Sequence, residues 1–134
     1  MRRLLWLALP LALALPASAQ TPTPDSVPVQ WTVFVGGPGR RGERTNVSNS
    51  AGNVRMADTA WRCGYAVPRV AAISATDYSV QRILACQRER ATVSATASCR
   101  VQGGQIQEHA ATLSLGTVDE RDYVTVTLGC QRRR

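Results

Sequence analysis

The sequence predicts an all-β fold, a small antiparallel β-sandwich or barrel stapled by two disulfides. Three observations carry that expectation. Apolar and polar residues alternate in five or six short segments, turn-forming residues separate those segments, and four cysteines follow an export-type leader.

Met1-Arg2-Arg3 opens the chain, an apolar Leu/Ala run fills positions 4–15, and Pro16-Ala17-Ser18-Ala19 follows. Such a run can enter an export channel but is shorter than the roughly 18–20 residues that span a bilayer stably. Small residues at Ala17 and Ala19 fit a signal peptidase. Residues 1–19 therefore read as a signal peptide, cleaved after Ala19 to leave a secreted or periplasmic chain beginning at Gln20. No later apolar run approaches spanning length, so no membrane span is expected after cleavage.

Residues 20–29 carry Pro22, Pro24 and Pro28 among threonines, the composition of an extended, solvated lead-in. In Trp31-Thr32-Val33-Phe34-Val35, the side chains of Trp31, Val33 and Val35 share one face, which is a strand pattern. From 36 to 53 the composition shifts to Gly, Arg, Ser and Asn. A loop of that length inside a small domain is expected to be mobile or functional. Trp61, Cys63 and Tyr65 alternate until Pro68, and residues 70–73 read as another short strand.

The stretch 78–91 allows two readings. Val80, Ile83, Leu84, Gln87 and Ala91 fall at helical spacing behind a capping Asp77, whereas Val80, Leu84 and Cys86 share a strand face on which Arg82 is an awkward member. The strand is preferred, because a turn at 87–90 then explains the alternation of Val93, Ala95, Ala97 and Cys99. Gly103-Gly104 turns the chain again. Ala111, Leu113 and Leu115 form the next alternation, and Val124, Val126, Leu128 and Cys130 the last. The single β domain is taken as 30–131, followed by a basic tail at 132–134.

Cys63, Cys86, Cys99 and Cys130 have no closely spaced partner for zinc, and an even number in an exported chain reads as disulfides. A hairpin over 78–99 sets Cys86 and Cys99 near opposite ends. The favoured pairing is therefore Cys63 with Cys86 and Cys99 with Cys130, each worth on the order of 3 kcal/mol by chain entropy. Staples matter here because the core is built mainly from Val, Ile, Leu and Ala, with few aromatics.

The chain has sixteen arginines, no lysine and a net charge of +7. Without the leader, fourteen arginines face nine acids, and three of those arginines sit at the terminus. Arg40, Arg41 and Arg44, together with Arg132, Arg133 and Arg134, are the candidate anion contacts. They would act as a salt-dependent patch for an anionic surface polymer. The glycine-rich segment at 36–42 lacks the lysine and hydroxyl of a nucleotide-binding loop, and Pro38 removes an amide donor.

Catalytic chemistry finds little to work with. His109 is the single histidine and follows the polar Gln107-Glu108, and Asp119, Glu120 and Asp122 cluster where a turn is expected. Neither group forms a nucleophile–base or glycosidase arrangement. Asp58-Thr59-Ala60-Trp61-Arg62-Cys63 is similar over six residues to one strand of immunoglobulin variable domains. It is one residue short, however, and no upstream partner cysteine exists, so no family is assigned. Asn46-Val47-Ser48 matches a glycosylation acceptor.

The expectation is a non-catalytic binding or structural module with no cofactor or metal, its recognition supplied by 36–53. Its partner would be an envelope or extracellular protein, or an anionic polymer. A cationic polymer binder and, further off, a hydrolase are the alternatives.

Overall fold

A computed structural model describes residues 21–56, 59–116 and 123–133. The leader and its cleavage site, Asp58, Asp119, Glu120, Asp122 and Arg134 lie outside the described residues. A single 3-10 turn, Pro24–Ser26, precedes ten strands: β1 (Val29–Gly36), β2 (Glu43–Val47), β3 (Gly52–Val54), β4 (Arg62–Tyr65), β5 (Arg69–Ala72), β6 (Tyr78–Arg88), β7 (Ala91–Gln102), β8 (Gln105–His109), β9 (Ala111–Gly116) and β10 (Tyr123–Arg132). Every pairing between them is antiparallel. One sheet has the order β2-β1-β10-β9. The other runs β3-β4-β6-β7-β8, with β5 on the same side of β6 as β4. The two sheets pack face to face as a sandwich and do not close into a barrel.

The alternation read from the sequence sets which side chains fill the space between the sheets. Val29, Trp31 and Val33 enter from β1, and Val124, Val126, Leu128 and Cys130 from β10. Across from them lie Cys63, Val80, Leu84, Cys86, Ala97, Cys99 and Val101. Burying a Val or Leu side chain contributes about 1.5–3 kcal/mol, so a core of mostly valines and alanines needs its covalent ties.

The contested stretch is strand β6, paired with β7 along its whole length from Tyr78↔Val101 to Arg88↔Ala91. Its turn is tighter than expected. Gln87 and Arg88 belong to the strand, and the two residues Glu89-Arg90 reverse the chain, with Glu89 at φ 53°. Between β7 and β8 the reversal is Gly103-Gly104, both at positive φ, the conformation a tight hairpin turn requires.

Both favoured disulfides are present, and no described cysteine is free. Cys63 and Cys86 are directly opposed neighbours in the β4–β6 ladder, with Cα atoms 4.0 Å apart. Cys99 and Cys130 are joined for a reason other than the simple meander that suggested it. After β8 the chain crosses to the second sheet, where β10 runs between β1 and β9, so this bond ties the two sheets together. Two structural disulfides fit folding in an oxidising compartment. Among the described residues no helix is long and apolar enough to cross a membrane.

Three segments are more ordered than their composition implies. The 36–53 stretch contains β2 and most of β3, and β2 pairs with β1 from Trp31↔Val47 to Val35↔Glu43. Four of its five residues are exposed, so its backbone hydrogen bonds, and no apolar period, make it a strand. The polar residues of β8 likewise follow β7 around the glycine turn. In the lead-in Val27 is buried, and Arg133 holds that segment, donating from its guanidinium to the carbonyls of Asp25 and Val29 and from its amide to Pro28.

Candidate functional site

The β4–β6 ladder is interrupted at one place. β4 and β5 lie end to end along β6, and the link between them passes beside Arg82 with Pro68 buried. Ala66 continues the ladder by donating to the Ile83 carbonyl, but its own carbonyl has no ladder partner, and Pro68 has no N–H to offer. Arg82 fills that gap. On β6 it shares the inward face with Val80, Leu84 and Cys86, and it is 1% exposed.

Its Nε donates to the Ala66 carbonyl at 2.6 Å, and its Nη2 to the Ser50 carbonyl at 2.7 Å. The guanidinium carbon lies 4.7 Å from the Tyr65 ring centroid and 5.7 Å from that of Trp31. Among the described residues no carboxylate pairs with it, and Nη1 has no hydrogen-bond partner. The charge is held by carbonyl dipoles and two aromatic faces. Loss of water pushes the Arg82 pKa down from its ordinary value, and the Tyr65 phenol opposes that shift.

Tyr65 is the hinge between this wedge and a cleft. Its ring lies so close to Gly52 that a Cβ there would sit 2.5 Å from the phenol oxygen, so Gly52 is what lets the ring occupy that place. Beyond it the sheets part between β2 and β3. The cleft has a volume of about 380 Å³, with apolar walls from Val33, Val35, Val47, Val54 and Tyr65. Polar groups of both signs also line it, among them Glu43, Asn46, Asn53 and Arg55. Glu43 and Thr45 stand opposite Val35 and Val33 on the inward face of β2, so the hollow is of mixed polarity, and its size is that of a small-molecule site. A wider hollow of about 730 Å³ lies on the outer face of the larger sheet, floored by Gly64 and Ala85 between Arg62 and Gln87. It is shallow and open, and encloses less of anything that sits there.

Among the described residues, the candidate anion contacts do not converge. Arg40 is half-buried just before β2, and Arg41 and Arg44 are exposed, with Arg44 beside Phe34 on β1. Arg132 pairs with Val29 at the other end of β1. Five residues along the strand separate the two positions by about 17 Å. Arg133 is engaged with the lead-in, as described above. His109 ends β8 on the outer face, opposite Ser98 in a row completed by Gln81 and Arg69 that contains no carboxylate. Asn46, the first residue of the Asn-Val-Ser pattern, lines the cleft.

Arg82 and the Tyr65–Val54 wall were not among the residues the sequence singled out as a site. The signal for Arg82 was present, a lone charge at an inward position of a strand otherwise lined by Val80, Leu84 and Cys86. Nothing comparable marks Val54 or Val47, which are single valines in polar stretches. No protein-family model matches this chain, and neither curated proteins nor solved structures include a significant match. The chemistry of the site therefore has to speak for itself.

Proposed function

We propose that this protein is an exported binding module. A cleavable signal peptide delivers it to the periplasm or the exterior, and the cleft between β2 and β3 takes a small amphipathic ligand. The observation that supports this reading is the cleft itself, a hollow of mixed polarity in which Val33, Val35, Val47, Val54 and Tyr65 stand beside Glu43, Thr45, Asn46, Asn53 and Arg55. The role first assigned to 36–53 is kept but sharpened: this segment contributes a wall and rim in place of a free loop. Arg82 serves as a positioning residue, holding Tyr65 and the Ser50 backbone on the rigid sheet.

The test uses 1-anilinonaphthalene-8-sulfonate, an amphipathic fluorescent probe of suitable size. Saturable fluorescence enhancement is expected with the native protein, and amide shift changes are expected at Val33, Val47, Val54 and Tyr65. Val54→Trp fills the hollow and is expected to weaken binding at least tenfold while leaving the melting temperature nearly unchanged. Binding that survives Val54→Trp, or shift changes centred on Gly64 and Ala85, would show the cleft to be the wrong site. Absence of binding by the native protein counts against the reading as well.

A further inference from the structure

Residues 91–97 of β7 have β6 on one side and, among the described residues, no strand on the other, because β8 pairs only with residues 98–102. The direction of their backbone groups follows from the register. Arg88 and Ala91 flank a two-residue turn and so form a mutually hydrogen-bonded pair. From the other side, the 4.0 Å Cα separation of Cys63 and Cys86 marks the closer, non-hydrogen-bonded kind of pair, which turns the Cys86 peptide groups toward Val93. Both routes agree. Ala91, Val93, Ala95 and Ala97 bond to β6, while Thr92, Ser94 and Thr96 turn their N–H and C=O groups to the open edge.

Among the other described edges, β9 (Ala111–Gly116) is likewise uncharged but short, and the rest carry features that discourage strand addition. β2 has Glu43 and Arg44, β3 is only three residues long, β5 begins with Arg69, and β8 ends with Glu108-His109. The 91–97 edge has no charge and no proline, and its first four residues are exposed. Its sequence, Ala91-Thr92-Val93-Ser94-Ala95-Thr96-Ala97, also reads the same in both directions apart from the exchange of Val93 and Ala95. An antiparallel two-fold axis through Ser94 therefore sets Thr92 against Thr96 and Ser94 against its own copy. The pairs that face each other are the ones whose peptide groups are unpaired. Their hydroxyl side chains line up on one face, a favourable cross-strand match, and no like charges oppose each other within the stretch.

We propose that this edge is a self-association surface, on which two copies pair antiparallel through residues 91–97 about a two-fold axis at Ser94. The contact is isologous, so it closes at two chains, and it joins the two larger sheets into one continuous sheet. It uses no residue of the β2–β3 cleft and stands or falls apart from the binding reading.

Sedimentation velocity from low micromolar to millimolar concentration is expected to show the mass doubling. Ser94→Lys sets two like charges against each other across the axis on an exposed face, and its backbone N–H points away from β6, so the fold is left intact. This variant is expected to remain a single chain, as is Ser94→Glu, and an equimolar mixture of the two is expected to regain the doubled mass. In the wild-type protein, concentration is expected to slow amide exchange of Thr92, Ser94 and Thr96 at least tenfold, with little change at Val93 and Ala95. That measurement decides the question even if neither variant folds. A mass that stays single throughout, doubling that persists in Ser94→Lys, or exchange at those three amides independent of concentration would each overturn the proposal.

Discussion

Where β7 and β8 face β9 and β10, the space between the sheets is closed by Ala97, Cys99, Val101, Ala111, Leu115 and Leu128, all fully buried, and bolted by the Cys99–Cys130 bond. Where β3 and β4 face β2, the same two sheets are spanned by Arg82 between Trp31 and Tyr65, and Val35, Val47, Val54 and Tyr65 are only partly buried. One half holds together by excluding water and by a covalent bond. The other uses directional hydrogen bonds to carbonyls that the interrupted ladder leaves over. Apolar contact is indifferent to direction, so it fills space. A guanidinium fixes the positions of Ser50 and Ala66 without filling the space beside them, and the cleft is what remains.

The sharpest way to test that contrast is to remove the wedge. Arg82→Ala takes the guanidinium donors away from the Ala66 and Ser50 carbonyls, whose bonds to it are part-buried, and opens a cavity between Trp31 and Tyr65. The expected loss is about 3–5 kcal/mol, most of it from the cavity and the rest from the two lost hydrogen bonds. Arg82→Met keeps most of the volume and removes the cost of a buried charge, so its expected loss is smaller, about 1–3 kcal/mol. Urea unfolding of both variants measures the difference. If methionine is as damaging as alanine, the carbonyl bonds carry nearly all of the wedge's contribution; if alanine costs less than about 1 kcal/mol, the two halves do not differ in the way described.

The next effect in size comes from the bolts. Replacing Cys99 and Cys130 together by alanine is expected to cost about 3 kcal/mol by chain entropy, and replacing Cys63 and Cys86 nearly as much, because the loops they close are of similar length, with sequence separations of 31 and 23. The contrast is expected in where the structure opens. Loss of the inter-sheet bond should lower amide protection across β7, β8 and β10 together, whereas loss of the bond within the β4–β6 ladder should free β3 and β4 and leave β10 protected. Hydrogen exchange read by residue separates the two. Equal opening of β10 in both variants would mean that the sheets are coupled through the whole core and not through one half.

The closed half could be read from the sequence because burial there follows strict alternation. Val124, Val126, Leu128 and Cys130 announce β10, and Ala97 and Cys99 announce the inner face of β7. The disulfide pairing came out of the same pattern, although the path that brings Cys130 to Cys99 runs through the other sheet. Of the open half, β4 was announced by Trp61, Cys63 and Tyr65, but β2 and β3 were illegible for a physical reason. β2 and β3 are held by backbone hydrogen bonds to neighbours already in place, which leave no apolar period in Glu43-Arg44-Thr45-Asn46-Val47. β8 escaped notice in the same way. Arg82 broke its strand's pattern visibly, yet a broken pattern alone does not say what the charge is for. Only the gap between β4 and β5, a matter of topology, explains it.

A change in neither half serves as the reference for the rest. Glu89 holds φ 53° at the tip of the β6–β7 hairpin, in the left-handed region where a residue with a Cβ carries a penalty of roughly 1–2 kcal/mol. Glu89→Gly relieves that penalty and gives back part of the gain through the greater freedom of glycine in the unfolded chain, for an expected net stabilisation of about 0.5–1 kcal/mol. The side chain is exposed and the turn belongs to neither core region, so the gain should come from the unfolding equilibrium as a whole. Protection factors limited by global unfolding are then expected to rise by the same factor on β10 and on β6. Amides near Tyr65 that open locally should not change. If instead those amides gained as much as the rest, the open half would have no opening of its own, and the difference between the two halves would be one of composition without consequence for motion.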